Sequence, residues 1–110
     1  KRTAPTLEKE SDGAPFLRVI TGPVVDRVYQ LGLATSIGAS PENDIVLADD
    51  YVSGMHARID REGVDYLLRD LKSTNGTIVN DRELTPYVPH TLTPGDVIEV
   101  GDTRLEFTMD

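Results

Sequence analysis

Glycine and proline break this chain so often that no uninterrupted run beyond residue 16 is longer than 12 residues. Glycine frees the backbone to turn and proline removes a ladder donor, so each break ends a regular element. That texture belongs to strands joined by turns rather than to helices. Residues 16–20 read as a strand turned by Gly22-Pro23, and the alternating residues 27–31 pair back on it as a hairpin. Gly32 closes that hairpin, and residues 35–38 begin another short strand. Asn80-Asp81, between Thr77–Val79 and Glu83-Leu84, is a two-residue hairpin signal. Pro94-Gly95 reads as a type II turn, with proline presetting φ and glycine supplying φ > 0. Gly101-Asp102 joins Val97–Val100 to Thr103–Met109, where Thr103, Leu105, Phe107 and Met109 share one face. Val64, Leu67, Leu68 and Leu71 fall on a helical stripe. Glu62-Gly63 and Asn75-Gly76 nevertheless confine that segment to hairpin length, so it is read as a strand. The fold class is all-β: an antiparallel β-sandwich of many short strands with no long helix.

A chain of 110 residues makes one domain, able to bury roughly two-thirds of its unfolded surface. Residues 1–15 carry three basic and three acidic side chains, two prolines and one sizeable apolar group, Leu7. So little burial does not offset ordering entropy. The segment reads as a flexible linker, with residues 16–110 as the domain. The chain opens on Lys1 rather than methionine, which reads as a piece of something longer. No run approaches the roughly 18 apolar residues of a membrane span, and the start lacks a signal-peptide pattern. There is no cysteine, hence no disulfide, thiolate nucleophile or cysteine zinc site; this suits a reducing, cytoplasmic location. The net charge of −8 disfavours nucleic acid and anionic lipid, which both demand lysine and arginine. It also disfavours acidic ligands, unless a local basic spot overrides the global field.

Residues 36–77 hold two polar loops, Ser53-Gly54-Met55-His56 and Ser73-Thr74-Asn75-Gly76-Thr77. Ser53, His56 and an aspartate invite comparison with a hydrolase triad, but no nucleophile-elbow pattern surrounds the serine. His56 reads instead as a structural imidazole, donating from one ring nitrogen and accepting at the other to tie two loops. His90, after Pro89, reads as exposed. Asp44, Asp49 and Asp50 lack the spacing of a calcium loop and read as solvated charges, and two distant histidines make no zinc pattern. Neither a catalytic residue nor a metal or other cofactor is expected. What remains is anion recognition by hydroxyls, an amide and bare backbone. Ser53 and Thr74 offer hydroxyls, Gly54 leaves its N–H unshielded, and Asn75 both donates and accepts. On the residues alone, an ordinary polar loop cluster remains the competing reading.

Gly38, Asn43-Asp44-Ile45, Ser53-x-x-His56 and Ser73-Thr74-Asn75-Gly76-Thr77-x-Val79-Asn80, in that order and spacing, resemble the forkhead-associated (FHA) domain. Pro94-Gly95-Asp96-x-Ile98 fits the same family, and the likeness runs over roughly residues 16–109. The resemblance implies a sandwich of about eleven strands that binds phosphothreonine peptides through loops at one end and has no enzyme activity. It implies that Ser53 donates to the phosphate, Thr74 lines the floor beside the phosphothreonine and Asn75 holds the peptide backbone. Gly54 occupies a position that often carries a contacting side chain in the family. Gly38, His56, Gly76 and Thr77 would be structural, with His56 bracing the loops from beneath.

The departure is Ala39. The family places an arginine there, and its guanidinium meets the phosphate. A charge-assisted contact of that kind is worth about 1.5–3 kcal/mol, or roughly 10- to 150-fold in affinity. Lys72 is the nearest basic residue in sequence to the cluster, and Ser40 adds one neutral donor. Two functions therefore stand: a phosphothreonine reader weakened by Ala39, or a phospho-independent protein-interaction scaffold with the FHA fold. The expected partner is a phosphothreonine protein or peptide, from the parent chain or another Ser/Thr kinase substrate, with no nucleic acid, membrane or metal. Thr3 and Thr6 in the linker are themselves candidates, because 15 flexible residues span about 20 Å.

Overall fold

The turns dictate the architecture. In the computed structural model, which describes residues 14–22 and 24–109, Asn80 and Asp81 both adopt positive φ, at 49° and 70°. That is the type I′ geometry whose twist matches paired strands. Gly95 follows Pro94 at φ 95°, and Asp96 N–H closes the turn on Thr93 O at 2.9 Å. Gly63 and Gly101 turn two more hairpins at φ 66° and 60°. The linker threonines Thr3 and Thr6 lie outside the described residues.

Eleven strands result among the described residues: β1 (Pro15–Thr21), β2 (Val28–Gln30), β3 (Ala34–Gly38), β4 (Ile45–Val46), β5 (Ala57–Glu62) and β6 (Asp65–Asp70). They continue as β7 (Thr77–Val79), β8 (Arg82–Glu83), β9 (His90–Thr91), β10 (Val97–Val100) and β11 (Thr103–Met109). One sheet is ordered β2-β1-β11-β10-β7-β8 and the other β4-β3-β5-β6-β9. Pairing is antiparallel with one exception: β4 runs parallel to β3. Residues 39–44 loop over the end of β3 and return in its own direction, and Leu47 N–H fixes the re-entry on Gly38 O at 3.0 Å. The sheets face each other across Leu17, Val19, Ile37, Ile59, Leu68, Ile98, Val100, Leu105 and Phe107, all without appreciable exposure. Tyr66 packs on Phe107 with ring centroids 6.0 Å apart.

The strand reading of the segment after Gly63 holds, and two other expectations change. Val64 belongs to the Gly63-Val64 turn and is 85% exposed; the buried face of β6 is Tyr66, Leu68 and Asp70, a period of two. The helical stripe is a coincidence of spacing. His90 is half-buried rather than exposed: β9 pairs with β6 opposite Leu68, and the ring nitrogen Nε2 lies 3.3 Å from Asp96 Oδ2. Pro15, read as the end of the linker, is the buried first residue of β1, opposite Met109. The first position of a strand tolerates proline.

The register then places the polar loops. Ile37, Ala57 and Asp70 lie side by side in one sheet, as do Thr77, Val100 and Thr103 in the other. Loops 39–44, 47–56 and 71–76 and the 101–102 turn therefore gather at one end of the sandwich.

Candidate functional site

The loops at this end are fastened by buried polar groups. His56 has no solvent exposure. Its Nδ1 accepts the Ser53 backbone N–H at 3.0 Å, which leaves Nε2–H to donate to Gly76 O at 2.9 Å. One imidazole thus joins the loop before β5 to the loop before β7. Both ring nitrogens are occupied by backbone, so neither serves the Ser53 hydroxyl as a base, and the triad comparison has no geometry behind it.

Asp70 does comparable work below the second loop. Its carboxylate accepts from Ser73 Oγ, from Ser73 N–H at 3.0 Å and from Thr77 Oγ1 at 2.7 Å. Ser73 Oγ in turn accepts Gly76 N–H at 2.9 Å. Burial acts to raise the Asp70 pKa, but the Ser73 and Thr77 hydrogen bonds outweigh it and hold the carboxyl below its ordinary value. Gly76 takes φ 86°, a left-handed turn that suits glycine. Thr77 is fully buried, its hydroxyl spent on Asp70.

Gly38 is required by space. A Cβ there would sit 2.1 Å from Gly54 O and 2.7 Å from Asn43 Nδ2. The bare backbone lets three strands of bonding cross: Ala39 N–H to Ser53 O at 3.0 Å, Ser40 N–H to Gly54 O at 3.2 Å, and Asn43 Nδ2 to Gly54 O at 2.7 Å. The loop after β3 is thereby laid against the loop before β5.

On this frame Ser53 and Thr74 are brought together. Ser53 Oγ accepts the Thr74 backbone N–H at 3.0 Å, so the two loops meet at the hydroxyl. Accepting a bond leaves the Ser53 O–H proton available and polarised toward an anion. Thr74 and Gly54 are exposed. Asn75 is exposed and donates one Nδ2 proton to Tyr51 O at 2.9 Å, which leaves its second N–H and its carbonyl for a ligand. Ser40 is joined to Gly54 through its backbone N–H, and its Cβ lies 4.0 Å from where a Gly54 side chain would begin. Ala39 packs its methyl partly against the core and brings no charge. Lys72 is exposed at φ 58° with no ion-pair partner among the described residues, and nothing ties it to Ser53 or Asn75.

Residues missed in the sequence carry much of this scaffold. Asp70 and Ser73 form an Asp-x-x-Ser bracket whose spacing is a readable turn signal. Asp49 is not a solvated charge: its carboxylate accepts Tyr51 N–H at 2.8 Å and Asp102 N–H at 2.7 Å. Asp44 accepts from the Ser36 backbone at 2.9 Å. Among the described residues no three metal-ligating side chains converge.

The sequence matches a known family model, FHA domain, over residues 35–101, more than half of the chain. The chain belongs to the FHA domain family. It is 39% identical over 102 residues to the oxoglutarate dehydrogenase inhibitor of Corynebacterium jeikeium, covering 92% of this chain and 69% of that protein. It is 38% identical over 102 residues to the glycogen accumulation regulator GarA of Mycolicibacterium smegmatis, covering 92% of this chain and 63% of that one. Among solved structures, an FHA domain studied for phosphothreonine-dependent interactions superposes with a TM-score of 0.79 at 34% identity, covering 88% of this chain and 97% of that one. The eleven strands and the two sheets are thus those of an FHA sandwich, and the donor-bearing end is where its loops gather.

Proposed function

We propose that this FHA domain is a non-catalytic signalling module that recognises phosphothreonine in a peptide or protein, with affinity lowered by Ala39. The observation that carries the reading is Ser53 Oγ held 3.0 Å from Thr74 N–H, between two loops fastened by His56 and Asp70. Preorganised neutral donors give up little entropy when an anion arrives. Ser53 and Thr74 receive the phosphate, Asn75 holds the adjoining main chain, and Gly54 and Ser40 border the site with bare backbone and a hydroxyl. Lys72, at the mouth of the second loop, adds long-range attraction rather than a fixed contact. The partner is a Ser/Thr kinase substrate, the parent chain included, met in a reducing, cytoplasmic setting. Relatives named as an inhibitor and as a regulator support a role in controlling other proteins. The sandwich that begins at Pro15 acts as the binding unit and the preceding residues as its tether.

A second reading, phospho-independent docking on the FHA scaffold, draws support from the missing cation at position 39 and the net charge of −8. Calorimetric titration of one threonine-phosphorylated peptide against native protein and Ser53→Ala separates the two. Phosphate recognition requires weaker binding by the variant, about tenfold or more for one hydrogen bond to a charged acceptor. Equal affinity for the peptide and its unphosphorylated twin would favour the second reading.

A further inference from the structure

The loop that carries Asn75 also walls a groove of about 350 Å³, lined by Tyr51, Asn75, Ile78, Glu99 and Asp102. Asp49 builds it. By accepting Tyr51 N–H and Asp102 N–H it draws loop 47–56 onto the turn between β10 and β11. Only glycine at 101 permits that approach, since a Cβ there would lie 2.8 Å from both Asp49 Oδ2 and Val52 Cγ2. The bond from Asn75 Nδ2 to Tyr51 O makes the groove continuous with the donor cluster.

Its chemistry is the reverse of an anion site. Glu99 and Asp102 bring two carboxylates, and no cation lines the groove. The Asp102 carboxylate has no partner among the described residues. Glu99 accepts from Arg104 Nε at 3.3 Å, a single bond from the neighbouring strand. Tyr51 is 57% exposed, and half-buried Ile78 supplies an aliphatic wall.

We propose that this groove takes a basic side chain, arginine in preference to lysine, carried by the same peptide whose phosphothreonine rests on Ser53 and Thr74. The proposal rests on the phosphothreonine reading above and adds the substrate class. Arginine suits every wall. Its stem lies on Ile78, its plane stacks on Tyr51, and its fork meets the Glu99 and Asp102 carboxylates. An acidic side chain would face like charges. The arrangement also answers the loss at position 39. The cation that this FHA domain lacks is brought by the ligand, where it offsets both the phosphate charge and the negative field of the protein.

The test uses fluorescein-labelled alanine- and serine-based peptides with one phosphothreonine, with arginine, alanine or glutamate placed at each neighbouring position in turn. Polarisation should find one position where arginine binds about five- to thirtyfold tighter than glutamate. Asp102→Asn and Glu99→Gln should together reduce that preference below about twofold and leave the ratio of phosphorylated to unphosphorylated affinity unchanged. Asp102 is exposed, so Asp102→Asn alone gives a variant that keeps its fold and loses part of the preference. Equal binding of all flanks with phosphate dependence intact would overturn the groove proposal and spare the phosphothreonine reading. An arginine preference that survives both substitutions would also overturn it, because the cation would be bound elsewhere. A preference lost in Asp102→Asn without any phosphate dependence would support the groove and remove the phosphothreonine reading.

Discussion

Gly38→Ala should disable the donor cluster without touching a single donor. The added Cβ would lie 2.1 Å from Gly54 O, where ordinary contact begins near 3.4 Å. The Cβ is fixed to the β3 backbone and Gly54 O is main chain held by Ser40 N–H and Asn43 Nδ2, so neither yields by a rotamer change. Gly54 must retreat by more than about 1 Å, which stretches the Asn43 Nδ2 and Ser40 N–H bonds to its carbonyl beyond useful length. Overpacking of this kind costs about 1–3 kcal/mol. Two lost hydrogen bonds add about 0.5–1.5 kcal/mol each. The sum, about 2–6 kcal/mol, is a large part of a stability of about 5–15 kcal/mol. The thermal midpoint should fall by at least about 8 °C. The control is Gly54→Ala, whose new methyl meets nothing nearer than Ser40 Cβ at 4.0 Å. It should stay within about 0.5 kcal/mol of native. Urea denaturation followed by tyrosine fluorescence measures both. A Gly38→Ala loss under about 1 kcal/mol, or losses of equal size in the two variants, would refute the argument that the loops are pinned through position 38.

Ala39→Arg should raise affinity for a threonine-phosphorylated peptide about tenfold or more by restoring a charge-assisted contact, measured by calorimetry; unchanged affinity would mean that position 39 does not border the phosphate. Asp70 titrates below the ordinary carboxylate value of 3.8, so its contribution is fully present above that value and is lost as pH falls through the lower folded-state pKa. Thermal midpoints should therefore drop in acid below about pH 4, and Asp70→Asn should be less stable at neutral pH and flatter across that acid range. Parallel pH curves for the two proteins would remove Asp70 from the account. Thr77→Val deletes a buried donor to the same carboxylate and should cost about 1–3 kcal/mol in chemical denaturation, with no loss if the Thr77 bond is incidental.

Much of the fold was legible because turn chemistry is local. Asn80-Asp81, Pro94-Gly95 and Gly101-Asp102 each demand a backbone shape that only a few residue types accept; the first and last turn hairpins where expected, and Pro94-Gly95 turns the chain from one sheet into the other. The two loops of the site were legible for a different reason: their order and spacing carry a family pattern. Contacts between loops remote in sequence were not legible. Asp49 and Asp102 stand 53 residues apart, and nothing local announces that a carboxylate will receive a backbone proton there. The groove beside Asn75 follows from that contact and was invisible with it. Val64 and three leucines imitate a helical period, but the flanking glycine turns made the strand legible, and burial in β6 alternates. His90 misled because a neighbouring proline says nothing of Asp96, which the turn from Thr93 to Asp96 folds back beside the ring.

The claim on which the rest depends is that neutral donors, fixed by His56 and Asp70, hold a phosphate in an FHA site without the arginine. Amide chemical shifts recorded while a threonine-phosphorylated peptide and then its unmodified twin are titrated into the same protein test it most directly. The phosphorylated form should move Ser53, Gly54, Thr74 and Asn75 saturably, with little response to the twin. Identical shifts for both peptides, or shifts confined to residues away from these loops, would contradict it.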